Sequence, residues 1–258
     1  VMPFARTNSR SAWKFDASNN RPVARPGIYL NPNVLRYPRV LSYHWLMIIV
    51  KGNKTEELSR GKLEELLNNY ERVVLDLGTG DGRFVYEHAL REHPTFFIGV
   101  DPSQKQLEVY SKKAVRKKME NLIYVVGSIE VLPQELFKIA DLLYIVFPWG
   151  TLLKSTVDPD EKTFYILSNI LKPQGTLEII FGYTSEAEPS ETVRLELPEI
   201  SEELISGSVV PKFENAGFKM EKLERLEKLQ LKDIRSTWGK RLSFGQDRVI
   251  YRILFKRE

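Results

Sequence analysis

The chain has 258 residues, 42% of them hydrophobic, which suits one ordinary domain with a substantial core and excludes collagen, repeat arrays and bulk disorder. It contains no Cys and three His, which removes disulfides, thiolate metal sites and Cys nucleophiles, argues against a zinc enzyme, and fits a reducing, cytoplasmic setting. The net charge of +4 is uneven: residues 1–46 carry seven Lys or Arg and one acid, Asp16, a net of +6, so residues 47–258 are at −2. Any nucleic-acid argument must therefore rest on local patches. No apolar run approaches the roughly 18 residues of a membrane-spanning helix, so no membrane partner is expected.

Residues 1–46 hold five Pro and many Asn, Ser and Arg, without periodicity. Three readings fit: a disordered leader, an organelle-targeting peptide, or extraneous sequence upstream of a natural start at Met47. The third is expected, for a reason that comes with the resemblance below.

From Met47 onward the pattern is regular. Ile48–Lys51 reads as a strand, and Gly52-Asn53 as a turn. Leu58–Tyr70 has helical spacing, with Ser59 as a candidate N-cap. Val73–Leu77 is a buried strand, followed by the glycine-rich turn Gly78–Gly82 and a helix over Arg83–Glu92. Thr95–Val100 is a second strand, Ser103–Lys118 a long amphipathic helix, and Leu122–Val126 a third strand. Leu142–Phe147 is a fourth, stopped by Pro148. A helix over Phe164–Leu171, a turn at Lys172–Gly175 and a strand over Thr176–Phe181 follow. After the polar stretch Tyr183–Ser208 come a helix over Val209–Ala216, a mixed segment Met220–Leu229 and a final strand Val249–Phe255. Strands alternating with helices indicate a parallel α/β sheet. The last two strands suggest an antiparallel edge hairpin. The whole resembles the class I S-adenosylmethionine-dependent methyltransferase fold, Rossmann-like, with seven strands.

The turn reads Asp76-Leu77-Gly78-Thr79-Gly80-Asp81-Gly82. A dinucleotide fingerprint would need a third glycine where Arg83 stands. The acid-preceded G-x-G-x-G is instead the pattern of methyltransferases that use S-adenosylmethionine. That cofactor has an ammonium group and no pyrophosphate, so Asp76 or Asp81 could meet it. Asp101 closes the second strand, where a carboxylate accepts ribose hydroxyls. Ser128-Ile129-Glu130 follows the third strand, where adenine would lie. A non-catalytic nucleotide-binding fold is the alternative.

Phe147-Pro148-Trp149-Gly150-Thr151 ends the fourth strand, the position that faces the reactive group. It offers no carboxamide or carboxylate to an exocyclic amine. It offers an aromatic face, unless Trp149 is a core residue. A second cluster runs from Arg235 through Ser236, Trp238 and Arg241 to Arg248 and Arg252. An aromatic among cations suits an unpaired base, or is a helix tip with solvated charges. Lys112, Lys113, Arg116, Lys117 and Lys118 share part of a helical face, which could dock on an RNA backbone or be solvated.

DLGTGDGR, FPWGTLL and the late W-x-K-R-L-x-F-G-x-x-R-x-x-[FY]-R together resemble the aminoglycoside-resistance methyltransferases that modify N1 of adenine 1408 in helix 44 of 16S ribosomal RNA. The resemblance begins at Met47 with MIIVKGNKT, hence the expectation for residues 1–46. It implies that Trp149 and Trp238 sandwich a flipped adenine and that Pro148 shapes the pocket. It implies that Ser236 orders the linker near the cofactor and Arg248 grips a phosphate. By the same resemblance Gly78, Asp101, Ile129, Glu130, Phe147 and Thr151 line the cofactor site, where the reading of the turn also places Asp76 and Gly80. Lys112, Lys113 and Lys117, with Arg241, would bind RNA. The implied partner is 16S rRNA in the assembled 30S subunit, met by a monomer. Gln246-Asp247 departs from the basic pair of one family member, which is expected to weaken RNA binding or alter efficiency. A tRNA guanine-N7 methyltransferase, a small-molecule methyltransferase and a non-catalytic ribosome-assembly factor are the rival readings.

Overall fold

The computed structural model describes residues 13–15, 22–24, 47–242 and 248–258. In the first two stretches β1 (Trp13–Phe15) pairs antiparallel with β2 (Pro22–Ala24) as a separate two-stranded sheet. Otherwise the leader expectation, like the departure at Gln246-Asp247, lies outside the described residues.

From Met47 the chain builds a nine-stranded sheet. A hairpin, β3 (Met47–Lys51) with β4 (Lys54–Leu58), opens it around the expected Gly52-Asn53 turn. Leu58 pairs with Met47 across this hairpin, so the first helix begins later than its periodicity suggested, as α1 (Arg60–Leu67). Ser59 occupies the N-cap position, but its hydroxyl makes no capping bond.

Then come β5 (Arg72–Leu77), α2 (Arg83–Ala89), β6 (Thr95–Asp101), α3 (Gln104–Arg116) and β7 (Leu122–Val126). They are followed by β8 (Ala140–Val146), α4 (Gly150–Val157), α5 (Glu161–Ile170) and β9 (Leu171–Phe181). The polar stretch after β9 is helical in part: α6 (Pro189–Leu195), the short α7 (Glu202–Leu204), a π-helical turn at Ile205–Val209, and α8 (Val210–Asn215). The chain ends with β10 (Phe218–Leu226), α9 (Lys228–Asp233), α10 (Thr237–Leu242) and β11 (Ile250–Arg257).

The strand order is β10-β11-β9-β8-β5-β6-β7-β3-β4. Strands β5 to β9 run parallel, and β11 enters antiparallel between β9 and β10. This is the expected seven-stranded sheet, widened by the β3–β4 hairpin pairing antiparallel with β7. Alternation along β5 explains the two cores. Val73, Leu75 and Leu77 pack on one face with Leu63 of α1, Leu153 of α4 and Leu167 of α5. Val74 packs on the other with Phe84 and Val85 of α2 and Leu107 of α3. A strand buried on both faces must be apolar throughout, and each such side chain contributes about 1.5–3 kcal/mol. Asp76 interrupts that run and is 1% exposed.

Candidate active site

The turn after β5 is drawn over the end of β6 by two amides: Gly78 N and Thr79 N both donate to the Val100 carbonyl, at 2.8 and 2.9 Å. Gly78 takes a φ of +79°, and a Cβ there would lie 2.5 Å from Leu152 Cδ2. Only glycine lets the turn pass this close to α4. Asp101 is held from both sides. Its oxygens accept from Gly80 N at 2.9 Å and Ser103 N at 2.8 Å, which leaves other lone pairs for hydroxyl donors. Burial raises its pKa, and these two amides oppose the rise.

Asp76 is the contrast. Neither carboxylate oxygen has a hydrogen-bond partner, nor does the Thr79 hydroxyl. Burial lifts the Asp76 pKa to about 7; the Thr79 hydroxyl, close by but outside hydrogen-bond geometry, counters this only in part, and the charge of Asp101 adds to it. A buried carboxylate without a donor is costly, so this position has an unmet demand for a cationic group. Asp81, the other acid open to an ammonium, is already engaged. It accepts from Arg83 N at 3.2 Å and from the Thr237 hydroxyl at 2.7 Å.

These residues line a cavity of about 690 Å³. The sequence-predicted cofactor residues Asp76, Gly78, Gly80, Asp101, Ile129, Glu130, Phe147, Thr151 and Ser236 all border it. Burial would raise the Glu130 pKa, but hydrogen bonds from Ser128 and Thr151 and the charge of Lys162 outweigh it and hold the group low. The orphaned Asp76, the tethered Asp101 and the close glycine turn fit a ligand that carries both an ammonium and vicinal hydroxyls.

At the end of β8, Phe147 has a φ of +50°, left-handed for a residue that is neither glycine nor free of a following proline. Such a conformation costs about 1–3 kcal/mol and persists only where surroundings impose it. Here Phe147 N donates to the Ile180 carbonyl at 2.7 Å. The bend leads through buried Pro148, which does not border the cavity, to Trp149, which does. Trp149 is 50% exposed and Trp238, on α10, is 43% exposed, so neither is a core tryptophan. Their rings are 10° from parallel with centroids 6.2 Å apart. One planar base stacked face to face on both rings would need about 7 Å between them, so the rings must part by at least about 1 Å from this centroid separation to admit it. Arg241 places its guanidinium 5.3 Å from the Trp238 ring centroid, a cation–π contact.

The family model for NpmA, 16S rRNA (adenine(1408)-N(1))-methyltransferase, matches residues 48–256. The chain belongs to this family. A 16S rRNA (adenine(1408)-N(1))-methyltransferase of Escherichia coli is 35% identical over 212 residues, covering 80% of this chain and 97% of that one. The crystal structure of a 30S ribosomal A1408 methyltransferase from an uncultured bacterium is 43% identical and covers 82% of this chain and 100% of that one, with a TM-score of 0.67. That of the aminoglycoside resistance methyltransferase NpmB1 is 34% identical and covers 83% and 100%, with a TM-score of 0.71.

In this NpmA-family chain the remaining predicted residues lie away from the cavity. Arg248 is ion-paired with Glu188, and the pair is largely buried, with side chains 20% and 8% exposed. The other Glu188 oxygen accepts from Thr184 N at 3.2 Å. The α3 lysines are well along a helix whose N-cap, Ser103, borders the cavity. Lys112, nine residues on, is about 13 Å farther along the axis. It pairs with Glu108 at 2.8 Å, while the Lys113 ammonium is 3.7 Å from the Tyr110 ring centroid. Lys117 borders a separate hollow with His93 and Lys118.

Sequence reasoning missed Glu188 and Thr237. Glu188 sits 60 residues from its partner in a stretch without periodicity, and only the fold joins them. Thr237 stands immediately before Trp238 and the late motif, where a hydroxyl next to an aromatic was the available signal. Among the described residues no group of three or more His, Cys, Asp or Glu could hold a metal ion, and no helix is long and apolar enough to cross a membrane.

Proposed function

We propose that this chain transfers a methyl group from S-adenosylmethionine to N1 of adenine 1408 in the 16S rRNA of the assembled 30S subunit, as a monomer acting in the cytoplasm, and so confers aminoglycoside resistance. The observation that carries the reading is the near-parallel pair Trp149 and Trp238, which line the same cavity as Asp76, the glycine turn and Asp101.

Asp76 would pair with the cofactor ammonium, and Asp101 would accept the ribose hydroxyls. Ile129 and Glu130 would border its adenine. When bound, the cofactor supplies an electrophilic methyl group on sulfur. The residues of the chain need supply no base, because adenine N1 carries an in-plane lone pair that is unprotonated at neutral pH. Their work is positioning. Trp149 and Trp238 would hold the adenine once it has left its stack, and Pro148 would shape the wall behind Trp149. Arg248, held by Glu188 in the free protein, would grip a backbone phosphate of the flipped nucleotide. Arg241 and the α3 lysines would add further cationic contacts to RNA. A methyl group with a positive charge on N1 removes an acceptor and repels a cationic drug.

The test is incubation of 30S subunits with radiolabelled S-adenosylmethionine, followed by primer extension. A stop beside adenine 1408 is expected. Label in tRNA alone, or no label, would overturn the reading.

A further inference from the structure

The bond between Thr237 and Asp81 joins parts of the chain 156 residues apart. Asp81 belongs to the glycine-rich turn, and its other oxygen accepts from Arg83 N at the start of α2. Thr237 is the first residue of α10, one residue before Trp238. The segment around it is built to a defined shape. Ser236 N donates to the Ile234 carbonyl at 2.8 Å, and the Ser236 hydroxyl accepts from Gly239 N at 2.8 Å. At Gly239 a Cβ would lie 2.4 Å from the Ile234 carbonyl oxygen, so glycine alone allows α10 to fold back onto the residues before it. These contacts shape α10 internally but do not attach it to the cofactor turn. Thr237 does.

We propose that Thr237 is a positioning residue whose hydrogen bond to Asp81 clasps the helix carrying Trp238 to the cofactor turn and sets the Trp238 ring parallel to Trp149. The clasp makes the base slot and the cofactor turn mechanically continuous. A ligand that orders the turn around Asp81 also holds Trp238 in place, and by reciprocity a base seated against Trp238 steadies the turn. Serine or threonine at 237 can form the clasp, whereas valine, with the same shape and no hydroxyl, cannot. The inference rests on the reading of the two tryptophans as the base slot.

The experiment compares Thr237→Val, Thr237→Ser and Trp238→Ala in the full chain. For each, 30S methylation kinetics, calorimetric affinity for S-adenosylmethionine in the absence of RNA, and thermal midpoint are measured. Thr237→Val is expected to lower kcat/KM on 30S subunits about tenfold, the size of one hydrogen bond to a charged group. Its cofactor affinity without RNA should stay within about twofold of the unmodified chain, and its folding should be intact. Thr237→Ser should recover most of the rate. Wild-type kinetics in Thr237→Val, or no recovery with Thr237→Ser, would overturn the clasp. So would loss of cofactor affinity equal to the loss of rate. If Trp238→Ala itself leaves methylation unchanged, the base-slot reading falls, a separate failure from that of the clasp.

Discussion

The rings of Trp149 and Trp238 lie 10° from parallel with their centroids 6.2 Å apart, although they belong to the N-cap of α4 and to α10. A stacking slot predicts a specific pattern of loss. Trp149→Ala or Trp238→Ala should lower 30S methylation about 10–100-fold, since base–aromatic stacking is worth about 1–3 kcal/mol. Calorimetric affinity for S-adenosylmethionine should change little. An equal loss of both would assign the rings to the cofactor instead.

The second prediction concerns pH. Asp76 has a pKa of about 7 in the folded chain, raised from the ordinary carboxylate value by burial. The folded state therefore holds this proton from about pH 4 to about pH 7, where the unfolded chain has released it. Asp76 thus stabilises most below about pH 4, and its contribution is lost as pH rises through 7. Cofactor binding has the opposite sense, because pairing with an ammonium needs the carboxylate. Affinity for S-adenosylmethionine should rise from pH 6 to 8, with a proton released on binding at pH 6.5. Asp76→Asn should cost at least about tenfold in affinity at pH 8. It should also raise the thermal midpoint of the free protein more at pH 8 than at pH 5. Isothermal calorimetry in two buffers and thermal scans check both.

Arg248 and Glu188 give a prediction that separates stability from activity. Arg248→Ala leaves a largely buried Glu188 uncompensated and should destabilise the fold by about 3 kcal/mol. Replacing both, Arg248→Met with Glu188→Leu, should restore most of the thermal midpoint but not 30S methylation, because a phosphate would still lack its cation. Recovery of activity in the double variant would make the pair purely structural.

The α3 lysines predict a salt effect. Changing Lys112, Lys113 and Lys117 one at a time to Glu should weaken 30S binding without moving cofactor affinity. Each should also flatten the dependence of log affinity on log salt concentration by about one. Unchanged salt dependence would return these lysines to a solvated surface role.

The parallel strands and the residues that border the cavity were legible because their signals are local. Val73–Leu77 is a continuous apolar run, and the glycine turn follows it directly. The same locality explains the errors. Leu58 fits a helical spacing, but its pairing with Met47 through a two-residue turn takes it into a strand. Helix α4 was hidden because Trp149–Thr151 already read as a site at a strand end. The helices between Tyr183 and Ser208 lack strong periodicity and include Pro189 at the start of α6, where its missing N–H costs nothing. Both acids of the turn were visible, but the choice between them needs the partner of Asp81, which comes from residue 237. That information is tertiary, and no spacing rule contains it.

The position of β11 fixes when this sheet can close. It lies between β9 and β10, so a strand that follows both of them in the sequence fills the gap between them. Until residues 250–257 are available, β10 has no partner, and the segment bearing Trp238 is tethered at one end only. An emerging polypeptide can thus assemble the Asp76–Gly82 turn early, from β5 and β6, whereas the sheet that anchors the Trp238 segment closes only once β11 has emerged. For a protein whose proposed target is a ribosomal subunit, that order delays the setting of Trp238 until well after the turn that follows β5 has formed.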